Sequence, residues 1–185
     1  MNCANEVHFF DPVLHAQSRA KAMEGIIMPV EEKIAADRYI YRVGHSDRSK
    51  DSAYCGPWWV TDNTFLNICN WSKSDDSDAD AASSFRTLYK LKLAVMDSNG
   101  ACDVIVRARL REKLRAWGGR AKRLTENPTG TAEIIWTGGF EISQLCIPGL
   151  AQPPVHGSKD WVKSPEYDQW LEADEAIPIH SWFAR

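Results

Sequence analysis

The chemistry in this sequence concentrates around an arginine, a pair of tryptophans and a glutamate. Arg42 ends the apolar, aromatic run "RYIYRVG" (38–44), and "GPWWVT" (56–61) sets Trp58 and Trp59 just ahead of Thr61. Glu133 follows in "GTAEIIW" (130–136). A guanidinium is planar, permanently charged and forked, so it suits a phosphate or pyrophosphate better than an ammonium does. A flat indole face suits a flat heterocycle. A fixed carboxylate can stabilise the positive charge that develops on a ribose carbon when its glycosidic bond breaks. Each residue also has a plain structural use. Arg42 can pair with a surface carboxylate, and Glu133 can be an ordinary exposed strand residue. Neighbours on a strand face opposite sides, so one of the two tryptophans belongs to the core.

Several elements must position these groups. "RYIYRVG" and "GPWWVT" are rich in aromatic and β-branched residues and read as strands. "DNTFLNICNW" (62–71) reads as a helix capped by Asp62 or Asn63. Residues 1–37 read as a mostly helical lead-in: "VLHAQSRAKAMEGIIM" carries helix formers, and "PVEEKIAAD" is a second short helical piece with proline at its start. "TLYKLKLAVM" alternates and reads as a strand. "VIVRARLREKLRAW" places Leu110, Leu114 and Trp117 at helical spacing. "GGRAKRLTENPTG" reads as a loop, and "TAEIIWTGGFEISQL" as strand, Gly-Gly turn and strand in a hairpin. "DQWLEADE" reads as helical, and "AIPIHSWFAR" as a final edge strand that tolerates Pro178. Strands and helices mix without a βαβ rhythm, which predicts an α+β domain with antiparallel pairing.

In their order, with "TLYKLKL" as a strand between the second and third, "YRVG", "WWVT" followed by a helix, and "GTAEIIW" resemble the ADP-ribosyltransferase family. There, a first strand ends in Tyr-Arg-Gly or a variant. A second carries an aromatic residue and a hydroxyl residue and leads into a helix, and a third element begins with a glutamate. The likeness covers residues 38–150, between the lead-in and a C-terminal extension, 151–185. It implies a split antiparallel sheet with flanking helices in a single domain. It also implies that NAD is cleaved and its ADP-ribose passed to a macromolecular acceptor, a protein first and a nucleic acid second. By this resemblance Arg42 anchors the dinucleotide, Thr61 braces the site and Glu133 stabilises the ribosyl cation. Gly44, His45, Trp58 and Trp59 join Arg42 and Thr61 around the cofactor. Small free-standing members of the family are often toxins or effectors, which implies a chain folded in a cytosol and delivered into another cell. The sequence departs from the pattern in three places. Val43 separates Arg42 from Gly44, Thr61 is the lone hydroxyl of its motif, and Thr131 stands where many arginine-directed members carry Glu or Gln. The last weighs against arginine as the modified residue.

Composition narrows the alternatives. The chain has 185 residues, 44% hydrophobic and 25% charged, with a net charge of -3, so it is a single globular domain and not a polyanion binder as a whole. No stretch is long and apolar enough to span a membrane, and the N-terminus lacks the pattern of a signal peptide. Cys3, Cys55, Cys69, Cys102 and Cys146 are odd in number and widely spaced, which argues for reduced thiols and against disulfides or zinc. A cysteine nucleophile with a histidine partner in space stays open. His8, His15, His45, His156 and His180 show no metal-ligand spacing. "SKSDDSDADAASS" (72–84) reads as an acidic loop. Asp76, Asp78 and Asp80 imitate the start of a calcium loop, but Ala81 and Thr87 replace its glycine and glutamate.

Two rival functions remain. One is an NAD glycohydrolase that uses water as the acceptor. A related toxin type wants a glutamate in the helix after the second strand, and "TFLNICNW" has none. The other rival is a non-enzymatic module that docks through the basic run 107–123, read as a helix with Leu110, Leu114 and Trp117 turned inward.

Overall fold

A computed structural model describes residues 2–73, 78–96, 100–127, 133–139, 142–154, 158 and 160–184. The first half of the chain contains α1 (Val7–Phe10), α2 (Pro12–Gly25), β1 (Val30–Ile34), β2 (Tyr39–Gly44), α3 (Lys50–Tyr54), β3 (Trp58–Thr61), α4 (Asp62–Ser72) and α5 (Asp78–Leu93). Then come β4 (Val104–Leu110), β5 (Leu114–Arg120), β6 (Leu124–Glu126), β7 (Ile134–Trp136) and β8 (Ser143–Cys146). The chain closes with β9 (Ala151–Gln152), β10 (Val162–Lys163), α6 (Tyr167–Trp170), β11 (Leu171–Ala173), β12 (Ile177–Pro178) and α7 (Ile179–Phe183). The α+β class expected from the sequence is what the molecule has.

The main sheet runs β1-β5-β8-β3-β2-β4-β11, with β12 also on β4, and its pairings are antiparallel. Strand β3 is the hinge of this sheet. Its first residues, Trp58 and Trp59, pair with Cys146 and Leu145 of β8. Its last, Val60 and Thr61, pair with Tyr41 and Ile40 of β2. The ladder therefore divides at β3, and Arg42 is the first residue of β2 past the fork. Helices α4, α5 and α7 cover one face through Phe65, Ile68, Phe85, Tyr89 and Phe183, which pack with Tyr41, Val43 and Val60. The opposite side buries Ile40, Trp59, Val106, Leu114, Leu145 and Tyr167 together. Helices α1 and α2 close the β5–β8 side through Phe9 and Ala22, with Ile26 just past the end of α2, against Trp117.

Several sequence expectations give way to tertiary packing. "PVEEKIAAD" supplies the edge strand β1, where Glu and Lys side chains remain partly exposed and pairing with β5 overrides local propensity. "TLYKLKLAVM" belongs largely to α5. Ala81, Phe85, Tyr89 and Leu93 recur every four residues and are all buried, a period that appears only when the window reaches back into the acidic stretch. That stretch is accordingly helical from Asp78, and residues 74–77, which include Asp76 of the calcium-like pattern, lie outside the described residues. "VIVRARLREKLRAW" is two strands, β4 and β5, that lie on opposite sides of the fork and do not pair with each other. Arg107 and Arg109 alternate with buried Val106, Ala108 and Leu110, the period of a strand.

The expected hairpin in "TAEIIWTGGFEISQL" is absent among the described residues: β7 pairs with β6, and β8 with β3 and β5. "GGRAKRLTENPTG" contributes the end of β5 and all of β6 rather than a loop alone. "DQWLEADE" turns from α6 into β11, and "AIPIHSWFAR" from β12 into α7. Thr61 caps α4, in place of Asp62 or Asn63; its hydroxyl accepts the Thr64 N–H at 3.3 Å.

Candidate functional site

The fork at β3 opens into a cavity of about 610 Å³. Its floor is Arg42. On β2, Tyr41 and Val43 face the α4/α5 core, which leaves Ile40 and Arg42 for the other side. Arg42 is only 8% exposed. Its Nε and Nη1 have no hydrogen-bond partner among the described residues. The guanidinium carbon lies 5.5 Å from the ring centre of Trp59, which is itself 1% exposed. Burial pulls the pKa of Arg42 below the ordinary arginine value, with Tyr167 and Cys55 acting in the opposite direction. Among the described residues no carboxylate pairs with it, and a buried cation without one loses hydration and gets little back. An anion entering the cavity would supply the missing partner.

The walls are built to keep that guanidinium in place. Gly56 has φ +138°, and a β-carbon there would stand 2.5 Å from Nη1 of Arg42. The carbonyl of Gly56 accepts the indole N–H of Trp59 at 3.0 Å, which fixes the ring beneath the cation. Tyr89 reaches over from α5, and its hydroxyl accepts the Val43 N–H at 3.2 Å, a ladder group that β3 no longer serves past the fork. Burial raises the Tyr89 phenol to about 12, so it stays protonated. His45 also lines the cavity, and its Nδ1 accepts the Cys102 N–H at 2.9 Å. Its pKa is lowered, by burial first and by the Arg42 charge second.

The rim is more open. Trp58 is half-buried and lies beside Gln144 of β8, whose amide nitrogen donates to the Gly25 carbonyl at 2.9 Å. Lys21 and Glu24, at the end of α2, form an ion pair at 2.6 Å. The Lys21 ammonium also stands 5.4 Å from the ring centre of Trp161, and the Trp161 backbone N–H donates to Ser52 Oγ at 3.2 Å. Arg48 completes the charged lining. Among the described lining residues, three cationic side chains, Arg42, Arg48 and Lys21, thus face one carboxylate, Glu24.

The structure brings Arg42, His45, Trp58 and Trp59 into this one cavity. Both tryptophans line it, although Trp59 is also core. Thr61 and Gly44 do not line it. Thr61 acts at one remove by capping α4, whose Thr64 hydroxyl donates to the Ser143 carbonyl of β8. Gly44 lets β2 press against α3, since a β-carbon there would meet the Ala53 carbonyl at 2.8 Å. Glu133 is exposed, immediately ahead of β7, and is not among the lining residues. The register sets Ile134 against Glu126 and Trp136 against Leu124, and Leu124 is the end of this small sheet that touches the cavity. Glu133 therefore lies beyond the opposite end. Thr131 is outside the described residues.

Sequence reasoning missed Lys21, Glu24, Arg48, Tyr89, Gln144 and Trp161. They come from α2, the turn after β2, α5, β8 and the C-terminal extension, and meet only through the fold. One local sign existed: Gly25, where a β-carbon would lie 2.9 Å from both Gln144 Nε2 and a Trp58 ring carbon.

Other chemistries find less support. All five cysteines are free and buried. Burial lifts the Cys55 and Cys102 thiols to about 11 and Cys69 and Cys146 to about 12, which suppresses the thiolate that a nucleophile needs. No group of three metal-ligating side chains exists among the described residues. No helix among them is long and apolar enough to cross a membrane. The basic run is neither a helix nor an unpaired surface. Arg107 pairs with Asp174, Arg109 with Asp37 and Glu172, Arg111 with Glu172, and Arg115 with Glu6 and Glu31.

No family model and no curated protein matches the chain. Among solved structures, "Rhs1-CT in complex with cognate immunity protein RhsI1" is similar at 13% identity, with 84% of each chain covered and a TM-score of 0.41.

Proposed function

We propose that the chain binds NAD in the Arg42 cavity and transfers its ADP-ribose to a macromolecular acceptor. The observation that carries this reading is the Arg42 guanidinium, buried with two nitrogens unpartnered and held over Trp59 at the floor of a cavity of about 610 Å³. A pyrophosphate would satisfy those donors, and a cavity of this size is within the usual range for small-molecule sites. In the reaction, the bond between the nicotinamide nitrogen and the ribose carbon breaks, and its electron pair leaves with neutral nicotinamide. A nucleophile of the acceptor bonds to the same carbon and gives up its proton.

A carboxylate beside that carbon would stabilise the developing charge. The resemblance names Glu133 for this role, whereas the carboxylate that lines the cavity among the described residues is Glu24. We assign the role to Glu24. A second reading is nucleotide binding without turnover. It is favoured by Gln144, which offers an amide rather than an acid from the strand beside Trp59.

The test is nicotinamide release from NAD by the purified chain, with and without cell lysate, beside Glu24→Gln and Glu133→Gln. Lysate-dependent release that labels a macromolecule and is lost in Glu24→Gln is the expected result. Release without labelling would make water the acceptor. Saturable NAD binding without release would favour the second reading, and no binding at all would overturn both.

A further inference from the structure

We infer that the rim of the cavity is an aromatic subsite for a cation, built by Trp161 and Glu24, filled by Lys21 in the free chain and taken over by the pyridinium ring of the dinucleotide. This rests on the NAD reading above. The observation is that one ammonium satisfies two groups at once. Lys21 Nζ is 2.6 Å from Glu24 Oε2 and 5.4 Å from the Trp161 ring centre. A carboxylate and an aromatic face converging on one positive charge is how proteins hold organic cations.

The present occupant is replaceable. Its side chain is 36% exposed and that of Glu24 is 61% exposed, so the contact sits in solvent and contributes little to folding. An ammonium is compact and strongly hydrated, and it regains that hydration when it swings away. A pyridinium is flat and spreads its charge over the ring, so it can stack on Trp161 as well as face Glu24. Trp161 is anchored for such a role, because its backbone N–H donates to Ser52 Oγ on α3, the helix beside the Arg42 floor. Anion below and cation at the rim also match the charge pattern of oxidised NAD.

The consequence is discrimination by charge. Oxidised NAD carries the pyridinium and NADH does not, while ADP-ribose lacks the ring. The experiment is calorimetric titration of NADH, ADP-ribose and a carbocyclic NAD analogue that keeps the pyridinium but cannot be cleaved. It uses the wild-type chain, Trp161→Leu, Glu24→Gln and Lys21→Met. The wild type should prefer the analogue to NADH by about tenfold. Trp161→Leu should bring that ratio close to one and leave ADP-ribose affinity unchanged, and Glu24→Gln should also bring the ratio close to one. Lys21→Met, which removes the competitor, should tighten the analogue alone. An unchanged ratio in both Trp161→Leu and Glu24→Gln, or no preference in the wild type, overturns the subsite while the NAD reading stands. If ADP-ribose does not bind the wild type, the NAD reading itself fails. Fluorescence quenching by 1-methylnicotinamide then decides the rim alone: saturable quenching lost in Trp161→Leu supports a cation site, and its absence overturns one.

Discussion

The guanidinium of Arg42 fits so closely against the backbone of Gly56 that a side chain there would have to displace it. A β-carbon on Gly56 would lie 2.5 Å from Nη1 and 3.1 Å from the guanidinium carbon, and φ of +138° is strained for any L side chain. Gly56→Ala should therefore cost about 1–3 kcal/mol in stability through the backbone alone. It should also tilt the guanidinium off Trp59 and abolish nucleotide binding. Chemical denaturation and calorimetry on the same preparation separate the two effects. A variant that binds like the wild type would show that the position of Arg42 does not matter to the ligand.

Arg42→Met makes the complementary prediction. Removing a buried charge that has no counter-ion among the described residues, and replacing it with an apolar side chain of similar length, is often neutral or stabilising, by up to about 1–4 kcal/mol. The cation's purpose is then binding, not folding. Denaturation should show a midpoint equal to or above the wild type, while affinity for ADP-ribose falls below detection. A large loss of stability would instead mark Arg42 as a structural residue with partners beyond those described.

How much of this could be read from the sequence depends on whether the signal was local. Strands β2 and β3 and helix α4 were legible because aromatic and β-branched residues, and then an amphipathic run after Thr61, carry their own period. The arginine and tryptophans of the cavity came with them. The basic run was misread because Leu110, Leu114 and Trp117 keep a helical spacing across a turn, while the alternation of Arg107 and Arg109 with buried residues spoke for strands. Lys90 and Lys92 likewise made an alternating pattern out of the last turns of α5, where Tyr89 was needed as a long-range partner of Val43. Glu24, Gln144 and Trp161 left almost no trace, because what makes them a site is the division of the sheet at β3.

Tyr89 offers a check on that long-range partnership. Its hydroxyl receives the Val43 N–H where β2 has left β3. Tyr89→Phe leaves a buried donor unpaired and should cost about 1–3 kcal/mol. Amide hydrogen exchange at Val43 should quicken out of proportion to its neighbours. Unchanged protection there would mean that the hydroxyl contributes nothing to holding the strand.

For Glu133 the geometry makes a prediction opposite to the one that follows from the resemblance. The side chain is exposed and lies beyond the far end of the β6–β7 pair from the cavity. Glu133→Gln should leave both NAD affinity and nicotinamide release at wild-type levels, whereas Glu24→Gln abolishes release. A dead Glu133→Gln beside an active Glu24→Gln would return the catalytic role to Glu133.

His45 links the cavity to pH. Its Nδ1 accepts the Cys102 N–H, so the neutral ring carries its proton on Nε2, and a second proton can enter only by breaking that bond. Burial and the nearby Arg42 charge oppose protonation too, and the folded pKa lies below the ordinary 6.5. Above pH 6.5 both folded and unfolded rings are neutral and the contribution to stability is fully present. As pH falls through 6.5 toward the lower folded value, the unfolded chain binds the proton first, and stability is lost. His8, also lowered chiefly by burial, adds to the same slope. Urea midpoints should therefore fall between about pH 7.5 and about pH 5.5. His45→Asn, whose amide oxygen can still accept from Cys102, should remove the His45 share and leave that of His8. An anion on Arg42 reverses the local field and makes His45 easier to protonate. Nucleotide affinity should then strengthen over the same acidic window in the wild type and stay flat in His45→Asn. Affinity that weakens with acid in the wild type would place the anion away from Arg42 and His45.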